Sequence, residues 1–237
     1  PDRSTPRSRL LVASLVLAAT LQGASIAALA QTPPGAAQVA AYTGLHAAAQ
    51  QGDAARIAEL LRSGADPNPR DGNGRTPLHV AAFAKRREAL RALAAGAADL
   101  GALDRDRYDA LTIAAVADDE ATLALLLELG ASPKLTTSRW DGTALIAAAH
   151  LGHDGVVRRL VAAGAPLDHV NNLHWTALIE AIVLGDGGRR HVETLRALVE
   201  AGANTQLADR NGATPLALAK TRGYTVMVEI LRKAGAK

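Results

Sequence analysis

The chain has 237 residues, of which 49% are hydrophobic, a formal net charge of +3 and no cysteine. The lack of cysteine excludes disulfides, thiol nucleophiles and thiolate metal sites. The small charge excludes a general phosphate-binding surface, the more so because removing residues 1–30 takes away three Arg and one Asp and leaves +1.

The first element is basic, then apolar. Arg3, Arg7 and Arg9 precede an apolar run from Leu10 to Leu21, and Ala28-Leu29-Ala30 puts small residues just before Gln31. That order is expected of a secretory signal peptide, residues 1–30, cut after Ala30. A retained membrane anchor is the competing reading, since a bilayer needs about 20 apolar residues. Ser14, Thr20, Gln22, Gly23 and Ser25 dilute the run and argue against it. No Arg-Arg pair precedes the run, which favours the general secretion route over the twin-arginine one. Residues 31–41, opening Gln31-Thr32-Pro33-Pro34-Gly35, are expected to be a flexible leader.

A short phrase then recurs six times. Thr43-Gly44-Leu45-His46 is followed by Thr76-Pro77-Leu78-His79 and Asp109-Ala110-Leu111-Thr112. Thr143-Ala144-Leu145-Ile146, Thr176-Ala177-Leu178-Ile179 and Thr214-Pro215-Leu216-Ala217 complete the series. The starts at 43, 76, 109, 143, 176 and 214 step by 33, 33, 34, 33 and 38 residues. A period of this size predicts a stacked solenoid. Thr or Asp at each start can cap a helix, and Pro77 and Pro215 suit its first position. A second apolar run follows each time and stops at Gly64, Gly96, Gly130, Gly164, Gly202 or Gly235, the residue type that best turns left-handed after a helix. Turn-rich stretches such as Asp66-Pro67-Asn68-Pro69-Arg70-Asp71-Gly72-Asn73-Gly74 return the chain to the next Thr. The unit is helix, loop, helix, protruding finger.

Thr76-Pro77-Leu78-His79, Ser63-Gly64-Ala65-Asp66-Pro67-Asn68, Ala201-Gly202-Ala203-Asn204 and Asp209-Arg210-Asn211-Gly212-Ala213-Thr214 resemble the ankyrin repeat family, over residues 42–237. The resemblance implies an all-α solenoid of helix-turn-helix units joined by β-hairpin-like fingers. It implies a non-enzymatic module that binds a protein through a concave face of fingers and first helices, with no cofactor. An Ala-rich array behind a secretory signal also resembles exported periplasmic proteins of Gram-negative bacteria. The expectation is therefore a periplasmic protein, monomeric by itself, with a periplasmic or membrane-exposed client and no nucleic acid. Four departures individualise the chain. Asp109-Ala110 replaces Thr-Pro, Arg107 stands where the family prefers Gly, the finger of repeat four is one residue longer, and repeat five carries five extra residues around Gly185-Asp186-Gly187-Gly188-Arg189-Arg190.

Scarce aromatics mark the expected partner-binding residues. Tyr42, Tyr108 and Trp175 each precede a repeat start, Trp140 lies in the same kind of finger, and Phe83 ends a first helix. Trp and Tyr bury much area at little entropic cost, so such a set suits a binding hot spot. His150 completes it. The alternative is that these rings only stiffen neighbouring fingers. Arg189 and Arg190 could form an anion-binding rim loop or a plain surface extension. Lys85-Arg86-Arg87 and Asp118-Asp119-Glu120 stand one period apart and should face each other across the stack. His46 and His79 read as structural. A second function reading places a small ligand or metal at His150, His174 and Glu180. No metal motif supports it, and no catalytic residue is assigned, because no nucleophile motif is present.

Overall fold

A computed structural model describes residues 31–237, which form one compact unit. The expected signal peptide, residues 1–30, lies outside the described residues. Six inner helices carry the repeated phrase: α2 (Gly44–Gln51), α4 (Pro77–Phe83), α6 (Ala110–Val116), α8 (Ala144–His150), α10 (Ala177–Val183) and α12 (Pro215–Thr221). Six outer helices follow them: α3 (Ala54–Arg62), α5 (Arg87–Ala95), α7 (Glu120–Glu128), α9 (Asp154–Ala162), α11 (Arg189–Glu200) and α13 (Thr225–Lys233). Each inner helix packs on its own outer helix and on the inner helices of adjoining repeats. The result is the expected all-α solenoid, whose stability is built from neighbour contacts. Among the described residues no helix is long and apolar enough to cross a membrane.

The core repeats with the sequence. Leu78, Leu111, Leu145 and Leu178, two residues after each start, are fully buried. From the outer helices Ile57, Leu90, Leu123 and Val157 meet them at 0% exposure. Between these layers lie Ala81, Ala114 and Ala148, whose single methyl groups let adjacent helices approach closely.

The helix starts behave as capping chemistry requires. Thr143, Thr176 and Thr214 accept the amides of Ile146, Ile179 and Ala217 at 3.3 Å each. Thr76 instead works with His79: the Thr76 amide donates to Nδ1 at 3.1 Å, and the hydroxyl lies 2.8 Å from it. Asp109 does the same job for Thr112 at 2.8 Å, but with a carboxylate that is 1% exposed. Burial pushes that carboxyl above its ordinary value, against the pull of its Thr112 bonds. The cost is absent at low pH, where both states are protonated, and grows as pH rises past the unfolded value near ~4. Asp109→Thr, which restores the residue of the other repeats, is expected to stabilise the chain at pH 7 by about 1 kcal/mol. In urea titrations at pH 7 and pH 3.5 the gain should shrink at the lower pH.

Two details differ from the sequence expectation. Gly64, Gly130, Gly164, Gly202 and Gly235 turn left-handed after the outer helices, but Gly96 has φ −89° and Ala97 takes φ +60° instead. Gly96 is needed for a different reason: Leu61 occupies the space where its Cβ would stand. The expected flexible leader is also corrected. Residues Ala36–Ala41 form a further helix, α1, and the segment before it is tied down where Arg75 Nη2 donates to the Thr32 carbonyl at 2.6 Å. The Ala-rich run has the helix propensity for this, and the buried guanidinium supplies the anchor.

Candidate functional site

The fingers are built from turns, and the only bridge among the described residues is Thr137 with Gly142. Asp71, Asp104, Asn171 and Asp209 each hold a finger closed by accepting two backbone amides through one oxygen, at 2.8–3.0 Å. Adjacent fingers are then joined by backbone bonds: Arg105 N to Asn73 O at 2.9 Å, Ser138 N to Arg107 O at 2.8 Å, and Asn172 N to Trp140 O at 3.0 Å. Arg107, Asp141 and His174 stand at left-handed backbone positions that Gly74 and Gly212 fill in the other fingers. Each replaces glycine at a conformational cost of about 1–2 kcal/mol. Finger bases lean over inner helices, as Arg75 does over the Phe83 ring, 5.5 Å from its centroid.

The expected hot-spot residues separate into two groups. All five rings are half-buried. Tyr42 stacks on His46 with ring centroids 5.3 Å apart and donates its hydroxyl to Asp71 Oδ2 at 2.8 Å. Burial and the Asp71 carboxylate push that hydroxyl up to about 12. Burial also works to raise Asp71, but the amides of Arg75 and Asn73 and the Tyr42 hydroxyl outweigh it and hold the carboxyl below its ordinary value. Phe83 is engaged by Arg75. Tyr42 and Phe83 are therefore committed to internal contacts, the stiffening role weighed as the alternative. Tyr108 packs on the core, and burial raises its hydroxyl. Trp140 and Trp175 differ: neither indole N–H has a hydrogen-bond partner among the described residues. Leu151, next to His150 in sequence, exposes 39% of its surface.

His46 and His79 are structural, as expected. His46 Nε2 meets the Arg75 carbonyl at 2.9 Å, and His79 Nε2 donates to the Tyr108 carbonyl at 2.9 Å. Burial holds the His79 imidazole below its ordinary value, so it sits neutral between Thr76 and the next finger. His153 and His169 likewise reach backbone carbonyls of neighbouring repeats at 2.9 and 2.6 Å. His150 Nδ1 lies 3.4 Å from Glu180 Oε2, while His174 sits out on its finger. Among the described residues no three His, Cys, Asp or Glu side chains gather as metal ligands.

The rim-loop reading of Arg189 and Arg190 is corrected. The extra residues of repeat five lengthen α11 to 12 residues, and Arg190 reaches back 72 residues to Asp118 at 2.6 Å and to Asp154 at 3.7 Å. Its guanidinium is occupied by carboxylates, so it offers no anion nest. Arg189 and Arg190 both stay exposed there, but only Arg190 carries these carboxylate contacts. Tyr224 pins the loop from repeat six, donating to the Gly185 carbonyl at 2.8 Å. The expected meeting of Lys85-Arg86-Arg87 with Asp118-Asp119-Glu120 reduces to Arg87 with Asp119 at 3.9 Å. Glu120 pairs onward with Arg159 at 2.9 Å, and Arg86 donates back to the Gln50 carbonyl at 3.1 Å.

Comparison with known proteins agrees with this geometry. A family model described as ankyrin repeats (3 copies) matches residues 45–137 and 133–209. The ankyrin repeat protein YahD of Escherichia coli (strain K12) is 35% identical over 191 residues, which covers 80% of this chain and 94% of YahD. A crystal structure of an ankyrin repeat domain from Acinetobacter baumannii AYE is similar at TM-score 0.77 and 42% identity, covering 81% of this chain and 98% of that one. The ankyrin repeat domain of Bcl-3, a member of the IkappaB protein family, is similar at TM-score 0.74 and 27% identity, covering 83% and 88%.

Proposed function

The chain belongs to the ankyrin repeat family, and from that membership we propose that it binds a protein client in the bacterial periplasm through its concave face. Ankyrin repeats are protein-protein interaction modules and generally act without chemistry of their own. The observation that carries the concave reading is the pair Trp140 and Trp175. They are half-exposed rings whose indole N–H groups have no partner among the described residues, held on fingers that are bonded to one another. An aromatic side chain with an apolar body and an open donor is the type that anchors protein interfaces. The periplasmic part rests on Arg3, Arg7 and Arg9 before the apolar run and on Ala28-Leu29-Ala30 after it.

The test is site-directed crosslinking in a Gram-negative host that expresses the full chain. A photoreactive phenylalanine analogue at Arg139, an exposed fingertip position, should yield a discrete adduct with a periplasmic protein. The same probe at Val226, exposed at 48% on the outer helix α13, should yield none. Adducts from Val226 alone would move the interface to the convex side and defeat the proposal.

A further inference from the structure

Glu180 breaks the pattern of its own repeat. The equivalent position in the other repeats is Ala47, Val80, Ile113, Ala147 or Leu218. Here a carboxylate is 4% exposed in the middle of α10. One oxygen accepts from Asn171 Nδ2 at 2.9 Å. The other, Oε2, accepts no hydrogen bond among the described residues and lies 3.4 Å from His150 Nδ1. An unmet buried acceptor costs about 1–3 kcal/mol, more when it is charged. Local rules are broken in this way mainly where function requires it.

The second departure accompanies the first. Three fingers close on an aspartate, whereas repeat five closes on Asn171, whose oxygen takes the amides of Leu173 and Trp175 and whose NH2 is turned to Glu180. The carboxylate is thus set at the base of the Trp175 finger. Across from its unmet oxygen, 3.4 Å away, stands His150, the last residue of α8, whose side chain is 22% exposed. A carboxylate with an unmet oxygen, linked through Asn171 to a finger that carries an indole, offers the two kinds of group that receive a guanidinium or ammonium, by charge-assisted hydrogen bonds and cation–π attraction.

We propose that Glu180 is the specificity residue of the concave face and takes an Arg or Lys side chain of the protein client, with His150 as the cover that moves aside. The inference rests on the concave-face reading above. It is tested by selecting a phage-displayed random dodecapeptide library on the full chain and on its Glu180→Gln, His150→Ala and Trp175→Ala variants. Melting curves confirm that each is folded. Peptides enriched on the wild type and lost on Trp175→Ala should share one basic position. Their affinity should fall about 10-fold on Glu180→Gln, while His150→Ala leaves it equal or tighter. Trp175-dependent peptides with no basic preference, or with an acidic one lost on His150→Ala, would overturn the role of Glu180 and leave the concave reading standing. Peptides indifferent to Trp175 would overturn both.

Discussion

Asn171→Asp is expected to lower stability by about 3 kcal/mol, read as a drop in the urea midpoint, although it restores the residue found at this place in three other fingers. The reason is local. Among the described residues, Asn171 is the only hydrogen-bond donor to the buried Glu180 carboxylate. An aspartate there removes the donor and sets a second carboxyl against the first, where water cannot screen them. The control is Asp104→Asn. That finger accepts the amides of Asp106 and Tyr108 through one oxygen, which an asparagine retains, and the residue at the Glu180 position is Ile113. It should change stability by less than about 0.5 kcal/mol. Adding Glu180→Val to Asn171→Asp should recover most of the loss, because the pair then matches the Asp71 and Val80 arrangement of repeat two. A double variant no more stable than Asn171→Asp alone would show that the penalty arises elsewhere.

Replacing Trp140 and Trp175 together with Ala should weaken binding of the crosslinked client by at least about 2 kcal/mol, or roughly 30-fold. Stability should change little by comparison, since these rings are half-exposed and the finger bonds to Asn172 and Asn171 use only their backbone atoms. Tyr42→Phe gives the opposite outcome. It removes the bond to Asp71 and so costs stability of about 1 kcal/mol while leaving affinity unchanged. Calorimetry and urea titration on the same preparations separate the two effects. Equal affinity for the double variant and the wild type would take the hot spot off these fingers.

The stack was legible in the sequence because it depends on local, repeated chemistry. The recurring Thr or Asp with Leu two residues on fixes a capped helix and its buried face, and nothing distant can alter either. The site was less legible because it depends on pairs the period does not announce. Asn171 and Glu180 are nine residues apart and belong to a finger and a helix. Their partner His150 comes from the preceding repeat. Arg190 crosses 72 residues to reach Asp118, which no pattern of neighbouring repeats foretells. Tyr42 and Trp175 hold equivalent positions in the phrase. What makes Tyr42 a structural ring is its hydroxyl bond to Asp71 and its stacking on His46, neither of which the repeat announces. The helix at Ala36–Ala41 escaped notice for a similar reason: its alanines give no amphipathic signal, and its anchor is a single arginine in the next repeat.

That arginine also makes the leading segment part of the fold. Arg75 is 6% exposed, with the Thr32 carbonyl and the Gln38 side chain 2.6 and 3.5 Å away, and its own side chain lies over Phe83. Residues 31–41 thus help to shield a charge at the base of the first finger. Without them the guanidinium loses its Thr32 carbonyl acceptor, a bond to a charged group of about 1.5–3 kcal/mol, and meets water instead.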